Sequence, residues 1–120
     1  MIRILAVDDS PSMRDMVRIA LTGAGFDVTQ ASDGQQALAL ARDSNFDLVL
    51  SDVNMPVMNG IEFIRALRAE SSYKHTPILM LTTESSMDRK REGKDAGATG
   101  WIVKPFDPAQ LIATMHRVLR

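Results

Sequence analysis

Two adjacent aspartates near the amino terminus are the first residues whose types suggest shared chemistry. Asp8 and Asp9 follow a short apolar run, and Asp52 follows another. If the three carboxylates converge to within about 4–6 Å, each pair repels by several kcal/mol at an effective dielectric near 20, so a cation must lie among them. Carboxylate oxygens without a histidine or sulfur ligand suit Mg²⁺. The acidic residues therefore predict a magnesium site.

A hydroxyl and an ammonium add the remaining groups that phosphoryl transfer needs. Thr82 and Lys104 each follow an apolar run. A carboxylate nucleophile beside Mg²⁺, with donors for the phosphoryl oxygens, has the parts for in-line transfer, and the product would be an aspartyl phosphate at Asp52. The simpler interpretation is that the aspartates cap helices or turn loops. This capping interpretation is less favoured than the metal site, because Ser10 already fits the cap of the first helix.

Alternating strands and helices must position these groups. Apolar runs of strand length cover residues 2–7, 27–31, 47–51, 77–81 and 101–103, with segments of helical spacing between them. Near-continuous apolar runs indicate strands buried on both faces of a parallel sheet. We expect an α/β fold, a flavodoxin-like (βα)5 three-layer sandwich with strand order 2-1-3-4-5, although periodicity alone does not choose among doubly wound orders. Ligands of such sheets bind at the carboxyl ends of the strands, where the polar residues above fall.

Composition excludes several other classes of function. The chain has 120 residues, a net charge of -1 and no cysteine, so it has no disulfide, no cysteine-bound metal and no global field for nucleic acid or anionic membranes. The first apolar run is too short for a signal peptide or a membrane span. We expect a cytoplasmic protein with neither nucleic acid nor membrane as a partner.

The segment 86–96 is predicted to be an unusual fourth helix. It is basic, and Met87 and Ala96 are its clear apolar anchors. Weak anchoring favours easy local movement. A solvated basic face is the simpler interpretation of its charge, and a binding patch is the alternative.

The whole chain resembles the receiver domain of two-component response regulators. The matching motifs are Val7-Asp8-Asp9, Asp52 with Met55-Pro56 and Gly60, Thr82, and Lys104-Pro105-Phe106. Because the resemblance leaves no residues for an effector domain, we expect a single receiver domain over residues 1–120. It looks like a stand-alone receiver of the chemotaxis CheY type.

The resemblance implies a role for each residue of the acidic site. Asp52 matches the phosphoacceptor, which takes a phosphoryl group from the phosphohistidine of a sensor histidine kinase. Asp9 and Asp52 match direct Mg²⁺ ligands, Asp8 matches a ligand acting largely through water, and Asn54 matches the residue that offers its backbone carbonyl.

The resemblance also implies how the phosphoryl group is held and sensed. Thr82 and Lys104 match the donors to its oxygens, and Pro105 matches a position that usually follows a cis peptide bond. Trp101 matches the aromatic switch residue, which turns from exposed to buried as the Thr82 hydroxyl moves inward. The simpler interpretation of Trp101 is a core aromatic residue.

Three positions near the phosphoacceptor are expected to tune the site. Asn54 and Glu84 match the positions that govern attacking water, although Glu84 also fits a helix-entry acid. Thr83 stands where a smaller residue is frequent in the family, so we expect it to crowd the phosphoryl site.

The resulting hypothesis is a signalling switch and not an enzyme with a separate substrate. Phosphorylation would change the face made by the fourth helix, fifth strand and fifth helix, which then binds an output protein such as the flagellar motor switch. We expect a chemotaxis-type kinase, a phosphatase that removes the phosphoryl group, and a monomeric chain. The alternative within this class is a phosphate sink or relay shuttle outside chemotaxis.

Three other classes remain for comparison. A metal-dependent phosphatase or phosphomutase also uses an aspartate nucleophile with Mg²⁺, but position 54 is asparagine where such enzymes usually have an acid. A flavin-binding electron carrier would need a phosphate cradle where the chain has Asp8 and Asp9. A phosphorylation-independent pseudo-receiver conflicts with the complete acidic set.

Overall fold

A computed structural model describes residues 1–83 and 87–119 of the chain. Its strands are β1 (Arg3–Val7), β2 (Asp27–Ala31), β3 (Leu48–Asp52), β4 (Ile78–Thr82) and β5 (Gly100–Val103). Its α-helices are α1 (Pro11–Gly23), α2 (Gly34–Asp43), α3 (Gly60–Arg68), α4 (Met87–Ala96) and α5 (Pro108–Val118), and a short 3-10 helix spans Ser71–Tyr73. The predicted alternation of strands and helices is confirmed.

The strands form one parallel sheet in the order β2-β1-β3-β4-β5. In the central register Leu5 lies opposite Thr29 on one side and Val49 on the other. This order confirms the predicted one, and it brings the carboxyl ends of β1, β3, β4 and β5 side by side at one edge. In the part of the chain that the structure describes, no helix is both long and apolar enough to cross a membrane.

Alternate residues of the central strands enter two separate cores. On β4, Ile78 and Met80 pack with α2, α3 and α4, whereas Leu79 and Leu81 pack with α1 and α5. All of these strand residues are buried, as expected for near-continuous apolar strands with a helical layer on each face. The sandwich therefore has three layers.

Helix starts follow the local sequence closely. The Ser10 side chain accepts a hydrogen bond from the Met13 amide, and Asp107 accepts one from the Ala109 amide, each just before a proline in the first turn. The cap predicted at Ser10 is confirmed, and Asp107 has the same arrangement. The helix predicted over 86–96 is α4, and its first predicted residue, Ser86, lies outside the described residues.

The carboxyl ends of β3 and β4 each lie one residue later than predicted. Asp52 and Thr82 are the last residues of β3 and β4 and not the first residues after them. Their backbones stay in the ladder because Asp52 pairs with Leu81 and Thr82 pairs with Val103. Their polar side chains are therefore held by the sheet itself.

Candidate functional site

An acidic cluster lies at the carboxyl edge of the sheet. One carboxylate oxygen from each of Asp8, Asp9 and Asp52 lies within 4.8 Å of the others. Asp8 and Asp52 are buried and Asp9 is exposed, so solvent reaches the cluster on the side of Asp9. The neighbouring strands β1 and β3, with Val7 opposite Ser51, bring these residues together from distant parts of the sequence.

Lys104 closes the cluster on the β5 side. Its Nζ atom lies 2.9 Å from Asp8 Oδ2 and 3.2 Å from Asp52 Oδ1. The Lys104 amide donates to the Thr82 carbonyl at 2.8 Å, and the peptide bond between Lys104 and Pro105 is cis. An ammonium shared by two buried carboxylates makes charge-assisted contacts of the strong kind.

Electrostatics at Asp52 favour a further cation. Burial raises the pKa of the Asp52 carboxyl above its ordinary value, Lys104 opposes that rise, and the charge of Asp8 adds to it. Lys104 offsets one of three negative charges, so the cluster keeps an excess of negative charge. Hard oxygen donors with this excess suit Mg²⁺. The donor set therefore fits the predicted metal.

The loop after Asp52 fixes the orientation of its carboxylate. The Val53 amide donates to Asp52 Oδ1 at 2.8 Å, and the Gly60 amide donates to the Val53 carbonyl at 2.8 Å. A Cβ atom at position 60 would overlap the backbone carbonyl oxygen of Asp52, so the loop can return this closely only at glycine. Asn54 is exposed in this loop, with its side chain toward solvent.

The two threonines after β4 have different environments. Thr82 is 1% exposed, whereas Thr83 is exposed. Thr82, the predicted hydroxyl donor, is thus buried at the end of β4 beside the acidic cluster. Thr83 lies at the protein surface. Glu84, predicted to tune attacking water, lies outside the described residues.

Trp101 lies away from the acidic cluster, on the edge strand β5. Trp101 is 40% exposed, and the Nζ atom of Lys90 on α4 lies 4.9 Å from the ring centroid. Two shallow grooves between β5 and α5 share Trp101, Thr114 and Arg117 as lining residues. The simpler interpretation of Trp101 as a core residue is wrong, because this edge strand leaves the ring half in solvent.

Arg14 is a residue of the site that the sequence analysis did not identify. Its Nη1 atom donates to the backbone carbonyl of Asp8 at 2.7 Å, and the Ser10 amide donates to Asp8 Oδ1 at 2.9 Å. Both contacts hold Asp8 in place. The usable signal was the spacing, because Arg14 lies one helical turn after the Ser10 cap and so on the same side of α1.

Comparison with known proteins identifies the family. The model of the response regulator receiver domain matches residues 4–116. This chain belongs to the response regulator receiver family. Receiver domains of this family generally bind Mg²⁺, which agrees with the acidic cluster.

Full-length relatives of this receiver fall into two kinds. The chemotaxis protein CheY of Pseudomonas aeruginosa is 43% identical over 117 residues, covering 97% of this chain and 94% of that protein. The DNA-binding response regulator MtrA of Mycolicibacterium smegmatis is 44% identical over 118 residues, covering 98% of this chain but 50% of MtrA. The receiver thus spans nearly all of one relative and about half of the other.

Solved structures show the same fold. The chemotaxis protein CheY4 of Vibrio cholerae has a TM-score of 0.96 and 58% identity, with 98% of each chain covered. The receiver domain of the sensor histidine kinase PA1611 of Pseudomonas aeruginosa has a TM-score of 0.92 and 30% identity, covering 98% of this chain and 96% of that one. That protein holds a magnesium ion in its active site cleft. These likenesses favour the receiver hypothesis over the phosphatase and flavin-carrier alternatives.

Proposed function

We propose that this receiver accepts a phosphoryl group on Asp52 from the phosphohistidine of a sensor histidine kinase. The observation that carries the proposal is the Lys104 ammonium, which bridges Asp8 and Asp52 within an acidic cluster. Membership of the receiver family supports a phosphorylation-dependent switch. The chain then catalyses only its own phosphorylation and dephosphorylation and acts on no separate substrate.

Residues of the cluster divide the chemistry of transfer between them. The contacts of Lys104 and Val53 with Asp52 fall on Oδ1, so Oδ2 attacks the phosphorus atom. An oxygen–phosphorus bond forms as the nitrogen–phosphorus bond of the phosphohistidine breaks, and the bonding electrons leave with the imidazole. Lys104 and the Thr82 hydroxyl then donate to the phosphoryl oxygens.

The acidic residues hold the metal that this transfer requires. Asp9 and Asp52 would hold Mg²⁺ directly, Asp8 would act largely through water, and Asn54 would offer its backbone carbonyl. Mg²⁺ held there would supply positive charge to offset the negative charge of the phosphoryl oxygens and of the carboxylates. Arg14 keeps Asp8 in position through its backbone carbonyl.

Phosphorylation reaches the output face through Thr82 and Trp101. Movement of the Thr82 hydroxyl toward the phosphoryl group opens space at the end of β4, and the half-exposed ring of Trp101 turns inward. The change biases an existing equilibrium between two states. The face made by α4, β5 and α5, which carries Lys90 and Arg117, then binds an acidic segment of an output protein.

Chemotaxis is the setting that the relatives favour. This chain covers 94% of the Pseudomonas aeruginosa CheY, a chemotaxis protein. The proposed partners are a chemotaxis-type kinase, a phosphatase, and the flagellar motor switch, with the receiver acting as a monomer. Retention of a motor-switch protein by the beryllofluoride-activated chain but not by D52N supports this assignment. Retention of a histidine phosphotransfer protein alone points to the sink or shuttle.

Acetyl phosphate tests the phosphoacceptor directly. With Mg²⁺, intact-mass spectrometry of the wild type should show one added phosphoryl group, and Trp101 emission should change with it. D52N should show neither change, while D43N, altered at an exposed aspartate of α2, should behave as the wild type. Removal of Mg²⁺ with a chelator should abolish labelling. An acyl phosphate that persists in D52N would contradict the assignment.

A further inference from the structure

A lysine of α4 lies over the ring of the proposed switch residue. Lys90 Nζ is 4.9 Å from the centroid of Trp101, within the range of a cation–π contact, and tryptophan is the strongest aromatic partner for a cation. We propose that Lys90 is a positioning residue that holds Trp101 in its half-exposed position, so that loss of the Lys90 charge favours the buried ring. This inference rests on the proposed function, because it concerns the same switch.

The weak packing of α4 gives this contact its importance. Within Met87–Ala96, which the structure describes in full, the buried residues are Gly93 and Ala96, and both are small. The helix therefore has little buried side-chain packing of its own that would mask the effect of a contact with β5. Arg89 of the same helix is paired with Glu92 at 3.3 Å, so the basic residues of α4 differ in their partners.

Lys90 and the phosphoryl group act on the ring in opposite directions. The cation–π contact stabilises the half-exposed ring, and phosphorylation favours the buried one. Linkage requires that a change favouring the buried ring also tightens binding of a phosphoryl analogue. A contact of this kind at a partly exposed site corresponds to a change of about two- to fivefold in that equilibrium.

The contact itself can be measured without any phosphoryl analogue. The Cε protons of Lys90 should be shifted upfield by the ring current in proton–carbon correlation spectra, and the shift should disappear in W101L. Those of Lys94, exposed one turn further along α4, serve as the control. Ordinary shifts for Lys90 would overturn the inference and leave the proposed function intact.

The effect on the switch is measured by titrating beryllofluoride with Mg²⁺ while following Trp101, the single tryptophan of the chain. K90M should bind about two- to fivefold more tightly than the wild type. K90R, which keeps a cation over the ring, should remain within about twofold of the wild type, as should the charge-matched control K94M. If only the aliphatic stem of Lys90 mattered, K90M would bind beryllofluoride with the same affinity as K90R.

The outcomes of the titration separate the two proposals. If wild-type emission responds but K90M and wild type bind equally, Lys90 does not position the ring, and the proposed function stands. The same holds if K94M tightens binding as much as K90M, because the effect is then one of helix charge. If wild-type emission does not respond to beryllofluoride, the switch at Trp101 and the role of Lys90 both fall.

Discussion

Helices α3 and α4 lie on the same side of the sheet and have similar lengths, yet they are held very differently. Of the nine residues of α3, the buried ones are Gly60, Ile61, Phe63, Ile64 and Leu67. Of the ten residues of α4, the buried ones are Gly93 and Ala96. An Asn59–Glu62 capping box also fixes the start of α3. The better-anchored helix follows the loop of the proposed phosphoacceptor, and the weakly anchored one carries part of the proposed output face.

A glycine of α4 faces the flexible tip of a methionine of β4. A Cβ atom at Gly93 would overlap the Sδ and Cε atoms of Met80, a buried residue of β4. The tip of this methionine thus occupies the space that a larger helix residue would need. Firm packing near Asp52 and loose packing at α4 separate the proposed reaction site from a face whose local rearrangement needs little free energy.

Removing the main anchor of α3 should have the largest effect. Phe63 is fully buried, so F63A should lower the free energy of unfolding by about 3–5 kcal/mol. Met87 of α4 is 65% exposed, so the prediction that it anchors the helix is wrong, and M87A should change the free energy of unfolding by less than about 0.5 kcal/mol. Urea unfolding followed by circular dichroism measures both, and F63L provides a milder variant if F63A does not fold. Equal losses for F63A and M87A would remove the contrast between the helices.

A smaller effect is expected where α4 meets Met80. G93A should lower the free energy of unfolding by about 1–2 kcal/mol, because overpacking against Met80 outweighs the gain of about 1 kcal/mol from replacing a helical glycine. In the M80A background, where that space is empty, G93A should instead be stabilising. A double-mutant cycle in urea gives the coupling. If G93A has the same effect in both backgrounds, Met80 is not what limits the approach of α4.

Substitution of Asp52 should give the smallest change in the free energy of unfolding. The change should be stabilising although Asp52 lies in the firmly packed region, because its buried charge is unfavourable there. Burial raises the pKa of Asp52 above its ordinary value of 3.8, so the ionised carboxylate destabilises the folded state. Without Mg²⁺ at pH 7, D52N should raise the free energy of unfolding by on the order of 1 kcal/mol.

The difference in the free energy of unfolding between D52N and the wild type depends on pH, and the raised pKa of Asp52 sets the direction of that dependence. As pH falls through the raised folded pKa toward 3.8, the folded wild type takes up a proton before the unfolded chain does, and the advantage of D52N shrinks. Thermal unfolding of both proteins across this range measures it, with D43N as the control. An advantage that grows on acidification would mean that the pKa of Asp52 is lowered by Lys104 and not raised by burial.

Much of the fold and of the site could be predicted because the signals are local. Apolar runs and the caps at Ser10 and Asp107 depend on neighbouring residues, and a parallel sheet brings all its strand ends to one edge. That rule alone gathers Asp8, Asp52 and Lys104. The predicted carboxyl ends of β3 and β4 are one residue too short. A polar residue ends the apolar pattern in the sequence, although its backbone is still paired in the sheet.

By itself the sequence determined which chemistry meets at the edge of the sheet, since the residue types and the shared carboxyl edge of a parallel sheet are sufficient for that. The tertiary structure decided the pairings that depend on side chains from separate elements. Examples are Lys104 between two carboxylates, Arg14 on the Asp8 carbonyl, and Lys90 over Trp101. Such contacts depend on the separation of a helix and a strand to within a few ångströms and on the rotamer of each long side chain. Neither quantity is encoded in the spacing of residues along the chain.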